Sequence, residues 1–477
     1  MKYVNYSKYV LLALLVLPLS TLAVYDINIE NDTEQTFYLK PIVSSDLQSC
    51  RYSAEGMKTL APYQRTQIGC LNYDQGLKAG KKYFYNVEVY NDAALTTRVM
   101  TLQTTVQANL IGSTVVKATV KDAYSQAHDF FSRVADTSKT YWQHINGDLQ
   151  VYATPVKYTV PNPHMNFQDV DGMFFVIQAP EKTFQRSKDP NHLTILSYNM
   201  QLWPFYGWVG GMMMNRPNER IKEIANKTQN YDVVVAGELM DRDLRNRFSE
   251  LMRAPYPYQY GPIDTSATLS GGVMIYSHWP IEKQYQQSFN ACHGIDCSAA
   301  KGFLVVSINK NGKRYHILGS HTQADEGTNP DSLAADRAAR DAQLQELAVA
   351  LRQQNIPVGD PVILVGDLNV DAALCQQKRD CSEFNYLLQT VTAQYQPYSN
   401  IAILPYTSNY TLNAMNIDPV LGSYDYVLPL MNYQHPILYQ THVRVMRGVE
   451  NPKMYTGTPY GNTDLSDHFA LEAELRY

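Results

Sequence analysis

Two rhythms of apolar and polar positions divide the chain. From Val24 to about Gln178 the sequence runs in short alternating stretches rich in Tyr, Thr and Val. Tyr83–Tyr90, Val99–Leu110 and Thr114–Ala123 read as strands on that period of two. One stretch, Ser125–Ile145, admits a helical reading. The charged, Pro-punctuated segment Ala179–His192 reads as a linker. Beyond it, continuous apolar runs (LTILSY, YDVVVAG, GGVMIYS, GFLVVSI, RYHILGS and PVILVGD) alternate with amphipathic helices. In the helix after Asp331, residues Leu344, Leu347, Ala348 and Leu351 share one face, and Asp331 or Ser332 can cap its start. Leu244, Phe248 and Leu251 share a face in a second helix. Strands apolar at successive positions need cover on both faces, so this part predicts an α/β protein of layered sheets with outer helices.

The expected organisation is an export signal over 1–23, a smaller β-rich accessory domain over 24–180, a linker over 181–192 and the layered α/β domain over 193–477. Lys2 and Lys8 flank the start of the signal. Tyr9–Leu19 forms its apolar core, too short to span a bilayer comfortably, and Ala23 ends a small-residue cleavage site. The protein is therefore expected to be secreted. Its six cysteines suit an oxidising compartment, where Cys292 with Cys297 and Cys375 with Cys381 can each close a small loop, leaving Cys50 and Cys70. A zinc site is disfavoured because no CxxC spacing with matching His occurs. The formal charge is -5 and falls to -7 without Lys2 and Lys8, so non-specific nucleic-acid binding is disfavoured and no nucleic-acid partner is expected.

The chemistry sits where the apolar runs end. Asn199 follows LTILSY, Glu238 follows VVVAG, His321 follows ILGS, Asp367 and Asn369 follow VILVG, Asp425 opens YDYV, and Asp467 and His468 stand in SDHF. Such a set suits metal-assisted phosphoester hydrolysis: carboxylates hold a hard cation, imidazoles move protons and carboxamides orient phosphate and water. Each member also has a plainer reading. Glu238 is a natural Mg²⁺ ligand or a solvated loop acid; Asn199 is a site residue or a turn former. Asp367 and Asn369 point the same way if strand geometry continues, or else form an Asx turn. His468 is a base if a carboxylate such as Asp425 fixes its ring. Trp203, Phe205, Tyr206 and Trp208 fill the core, or form a lid or membrane-contact loop. No GxSxG elbow or P-loop is present, which removes support for serine hydrolase and NTPase readings.

Taken together, these residues resemble the endonuclease/exonuclease/phosphatase superfamily, with its four-layered DNase I-like α/β sandwich. Within it they are most similar to secreted bacterial sphingomyelinases of phospholipase C type. The likeness runs from about Leu193 to Tyr477 and includes GGVMIYSHWPI, KGFLVVSI, GSHTQADE and GDLNV. It implies a Mg²⁺-dependent phosphodiesterase that hydrolyses sphingomyelin to ceramide and phosphocholine at a membrane surface. Glu238 would be the principal Mg²⁺ ligand, with Asn199 and Asp467 close by. Asp367 and Asn369 would position water and phosphate, His468 would be the general base oriented by Asp425, and His321 would donate to phosphoryl oxygens. The chain departs from that pattern twice. Ser266–Ser270 lacks the acids of the family's peripheral metal site, and the stretch before Asp464 lacks its Trp/Phe hairpin tip, having only Met454, Tyr455 and Tyr460. A nuclease or phosphoinositide phosphatase on the same fold, or a non-enzymatic surface-binding protein, are the alternatives.

Overall fold

The computed structural model describes residues 25–43, 48–49, 58–72, 82–107, 115–123, 127–131, 141–145, 148–160, 168–203, 217–263, 269–398, 404, 406–416, 419–448 and 463–477. The export signal, Cys50 and the loop residues Phe205, Tyr206 and Trp208 lie outside them, as do Met454, Tyr455 and Tyr460. The chain forms two units, Met1–Ala179 and Pro180–Tyr477.

The first unit holds two six-stranded sheets, one containing Tyr25–Asp32 and Gln168–Gln178, the other Phe37–Val43, Lys82–Tyr90, Arg98–Gln107 and Val115–Asp122. Alternating residues of both sheets, among them Ile27, Ile29, Leu39, Val87, Leu102 and Val120, share one apolar core, as strands with one buried face require. The helix expected over Ser125–Ile145 is not there. Ala127–Phe131 and Tyr141–Ile145 are strands, hydrogen-bonded to Val115–Asp122 and Leu149–Val160. Sheet neighbours and aromatic residues overrode the helix-forming Ala and Gln of that stretch.

The second unit is a DNase I-like α/β sandwich of two sheets between helices. One sheet runs in the order Tyr258–Tyr260, Met274–Ser277, Val233–Gly237, His192–Asn199, Ala470–Arg476, Leu438–Arg444. The other runs Ile281–Ser288, Gly302–Lys310, Lys313–His321, Val362–Asp367, Asp425–Pro429. On the first, Leu196 and Tyr198 point outward to helices α1 (Pro217–Lys227) and α2 (Arg242–Leu251). On the second, Leu318, Leu364 and Leu428 point outward to α3 (Pro330–Gln353), and α4 (Ser382–Val391) packs there too. The residues between them in sequence therefore face the opposite sheet. That interface is close: a Cβ on Gly319 would stand 3.0 Å from Val235 Cγ1 and 3.2 Å from Ile275 Cγ1.

Helix α3 begins at Asn329, whose side chain accepts from Asp331 N at 2.9 Å, so the cap is Asn329 and not Asp331 or Ser332. Pro330 at the first helical position has its φ already set for the helix. Its buried face includes Leu344, Leu347, Ala348 and Leu351, each contributing on the order of 1.5–3 kcal/mol where a full aliphatic side chain leaves water. In α2, Asp241 caps Leu244 N at 2.8 Å and Leu244 and Phe248 are buried, but Leu251 is 40% exposed. Met252 at the helix end is buried in its place. The segment 180–191 has no helix or strand, yet it is fastened to the second unit. Glu181 pairs with Arg444 and Lys227, and Arg186 N donates to Asn230 O at 2.8 Å. At the sheet ends opposite the chemistry, Lys310 Nζ donates to Asp232 Oδ2 at 2.8 Å, and Trp279 Nε1 and Thr194 N donate to the same carboxylate. This network ties one sheet to the other with the buried charge paired and bonded.

Candidate active site

Strand parity assembles the site. Asn199 falls on the inner face with Leu193 and Ile195, while His321, Asp367 and Asp425 fall on the inner face of the other sheet. The register sets His321 opposite Asp367, and Asp367 opposite Asp425, on three adjacent strands. Four polar residues from two sheets thus converge, buried, at one end of the sandwich, where they must partner one another.

Asn199 joins the halves. Its Nδ2 donates to Glu238 Oε1 at 3.0 Å and to Asp367 Oδ2 at 3.1 Å. Its Oδ1 accepts from Gln201 N at 3.2 Å, so it forms a turn as well. Glu238 follows Val233–Gly237 with φ 58°, and its other oxygen accepts from the indole of Trp203. Gln201 (φ 47°) and Asn369 (φ 51°) are also left-handed, a costly backbone state for non-glycine residues that concentrates at functional sites. Burial, with the charge of Asp467 adding to it, pushes Glu238 up to about 7. Gln201 Nε2 holds Asp467 Oδ2 at 3.0 Å, and Ser466 Oγ donates to Asn199 O at 2.7 Å.

His468 Nδ1 lies 2.8 Å from Asp425 Oδ2, and its Nε2 lies 3.9 Å from Asp367 Oδ2. Burial opposes the charged ring, but Asp425, Asp367 and Asp467 outweigh it and raise the imidazole well above its usual value. Asp367 is pushed up to about 6, first by burial and then by Asp425. Spacing alone would let Asp367, Asp425 and His468 hold a cation, since they converge within 4.8 Å. The Nδ1–Asp425 contact fixes the ring of His468, an arrangement that suits proton transfer as well as it suits a cation. His321 behaves oppositely. Burial, then Lys301 and His468, lower it well below the usual imidazole range, so it is neutral beside a charged one. Its Nε2 is 3.3 Å from Lys301 Nζ and 3.9 Å from Asp367 Oδ2.

Asn369 does not extend the strand. Val362–Asp367 ends at the aspartate, Asn369 N donates to Asp367 Oδ1 at 3.0 Å in an Asx turn, and its Nδ2 donates to Thr322 O at 3.0 Å. The expected same-face spacing of the pair is replaced by that turn. Trp203 is half-buried with its indole on Glu238, which makes it part of the site's wall. Glu238 and the nearby Asp467 offer carboxylate oxygens of the kind a hard divalent cation takes, while Asn199 turns its Nδ2 to Glu238 and its Oδ1 to Gln201 N. The observation that fits a cation there is Glu238 itself: a half-buried carboxylate beside a second acid, bonded among the described residues to the neutral N–H groups of Asn199 and Trp203.

Residues 208–429 match the family model described as the endonuclease/exonuclease/phosphatase family. Over those residues the chain is similar to that family. It is similar to Sphingomyelinase C of Leptospira interrogans, 29% identical over 316 residues, which is 61% of this chain and 54% of that protein. It is also similar to Sphingomyelinase C of Listeria ivanovii, 33% identical over 207 residues, 40% of this chain and 60% of that protein. The chain thus spans little more than half the length of these relatives. Among solved structures, beta toxin from Staphylococcus aureus with bound magnesium ions superposes on 59% of this chain and 98% of its own, with TM-score 0.50 and 23% identity, a likeness of fold.

Three residues of the candidate site carried no clear motif in the sequence. Arg220 of α1, fully buried, donates to Met200 O at 2.9 Å, Gln201 O at 2.7 Å and Leu465 O, fastening the loops that carry Asn199 and Asp467. A cation on the apolar face with Ile221 and Ile224 was its visible signal. Lys301, buried next to His321, also donates to Asp296 and to Thr322 O at 2.8 Å. A lone Lys at the head of GFLVVSI was the signal there. Gln201 offered none. The loop carrying Asp296 is closed by the Cys292–Cys297 disulfide, and Cys375–Cys381 closes a second.

Proposed function

We propose that this protein is a secreted, Mg²⁺-dependent phosphodiesterase that hydrolyses sphingomyelin to ceramide and phosphocholine. The observation that carries the reading is the His468–Asp425 pair of 2.8 Å set beside Asp367, with Glu238 linked to Asp367 through Asn199. Glu238, Asp467 and Asn199 would hold the cation, as the magnesium in the fold's staphylococcal neighbour suggests. When bound, a divalent cation there supplies Lewis-acid stabilisation of a phosphoryl oxygen and offsets the carboxylate field that keeps His468 protonated. His468 Nε2, once neutral, accepts a proton from the attacking water, and Asp425 steadies the imidazolium that forms. Water oxygen bonds to phosphorus, the bond from phosphorus to the ceramide oxygen breaks, and that oxygen takes up a proton. His321 would donate through Nε2 to the non-bridging oxygens as charge builds, with Lys301 Nζ, 3.3 Å from that nitrogen, turning from the ring to the same oxygens. Asp367 and Asn369 orient water and phosphate. The names of the relatives favour sphingomyelin over a nucleic acid, in keeping with the net charge of -5. Export is supported by the N-terminal signal pattern and the two disulfides. No helix among the described residues is long and apolar enough to cross a membrane.

The test is phosphocholine release from sphingomyelin vesicles with Mg²⁺ and with EDTA. Release that requires Mg²⁺ and does not occur with phosphatidylcholine is expected. Cleavage of DNA or inositol phosphates in its place would overturn the substrate while keeping the site, and silence on every phosphodiester would overturn the enzymatic reading.

A further inference from the structure

Helix α2 and the segment after the Tyr258–Tyr260 strand enclose a cavity of about 420 Å³ that the reaction above does not use. Its polar wall is made by Arg242, Arg245, Asn246, Ser249 and Gln259, and no carboxylate lines it among the described residues. Arg245 is buried, and its Nη1 meets only neutral oxygens, Leu239 O at 2.8 Å and Ser270 Oγ at 2.9 Å. Arg242 forms no hydrogen bond or ion pair with any described residue, and its charge adds to burial in drawing Arg245 below its usual value. The buried Arg340, Arg444 and Arg447 each meet a carboxylate. Among the described residues Asp241 is the acid whose charge acts on Arg245, and its Oδ1 is taken up capping Leu244 N. Two guanidinium groups against one carboxylate are an arrangement that an anion stabilises, and a planar fork of donors suits phosphate oxygens.

We propose that this cavity is a phosphate-binding site, separate from the catalytic one, with Arg242 and Arg245 as its charged ligands and Asn246 and Ser249 as neutral donors. The ligand is a phosphate monoester or diester, carried either by an anionic lipid headgroup or by a soluble molecule. Through the carbonyls of Leu239 and Met240 that Arg245 also holds, occupancy bears on the segment that follows Glu238.

The test titrates inorganic phosphate into the full chain in EDTA, following the shift in Tm, for wild type, Arg242→Gln and His468→Ala. EDTA removes cation-dependent phosphate binding at the catalytic site. Phosphate is expected to raise Tm in wild type and His468→Ala, with the apparent affinity at least tenfold weaker in Arg242→Gln. Equal affinity in wild type and Arg242→Gln, or no shift in any protein, overturns the site. Because Arg242 is exposed, Arg242→Gln is expected to fold, with its far-UV spectrum and its hydrolysis of a water-soluble phosphodiester unchanged, which separates this outcome from failure of the proposed function. Co-sedimentation then assigns the source. Arg242-dependent binding to phosphatidylcholine vesicles containing phosphatidic acid identifies a lipid headgroup; Arg242-dependent phosphate binding without vesicle preference identifies a soluble ligand.

Discussion

Nδ1 of His468 meets Oδ2 of Asp425 at 2.8 Å, although 43 residues separate them, which leaves Nε2 facing the cleft beside Asp367. Asp425 raises the proton affinity of the ring. Asp425→Asn is therefore expected to lower kcat by roughly 10²–10⁴-fold and to move the acid limb of the rate profile to lower pH. A pH series of phosphodiester hydrolysis reads both. An unchanged profile would remove Asp425 as the orienting group.

Burial, and then the charge of Asp467, destabilises the ionised form of Glu238. Mg²⁺ is expected to raise the Tm of the wild-type protein by mass action and to leave Glu238→Gln nearly unmoved. Glu238, raised to about 7, is protonated as pH falls below that value, so Mg²⁺ affinity should weaken from pH 8 to pH 6. Titration of Mg²⁺ against Tm at the two pH values checks this.

Arg220 donates to carbonyls on two separate loops, and one ammonium has no geometry to reproduce that fork. Arg220→Met is expected to destabilise the fold by roughly 2–4 kcal/mol, since buried carbonyls lose their donors. Arg220→Lys should restore little of it. Urea unfolding gives the difference, and an effect under about 0.5 kcal/mol would make the clamp incidental.

Glu181 is drawn down to about 2, burial opposing and Lys227 and Arg444 prevailing. A carboxyl whose folded value lies below its unfolded one stabilises the fold at neutral pH, and that contribution fades as pH falls from about 4.5 to about 2. Glu181→Gln should lower stability by roughly 1–2 kcal/mol at pH 7, with the gap to wild type closing by pH 2. Thermal unfolding at pH 7, 4 and 2 measures it.

The ends of the apolar runs were legible because burial on both faces leaves a strong signal, and Asn199, His321, Asp367 and Asp425 follow from it by strand parity. Helix α3 was legible from Leu344, Leu347 and Leu351, but its cap was misplaced by two residues, because Asn329, Asp331 and Ser332 are all good cap formers. Ser125–Ile145 misled because local propensity favoured a helix while sheet partners, distant in sequence, decided for strands. The Asx turn at Asn369 was one of two readings the sequence left open, and it is the one formed because the strand stops at Asp367. Arg220, Lys301 and Gln201 act through backbone carbonyls and neighbouring side chains supplied by other segments, which no local pattern encodes.

The Ala470–Arg476 strand lies inside its sheet, between His192–Asn199 and Leu438–Arg444. Asp467 and His468 immediately precede it, and Ser466 reaches back across 267 positions to Asn199. Loosening that one strand would therefore disturb both halves of the constellation together, because the segment bearing Asp467 and His468 and the central neighbour of the Asn199 strand are the same piece of chain.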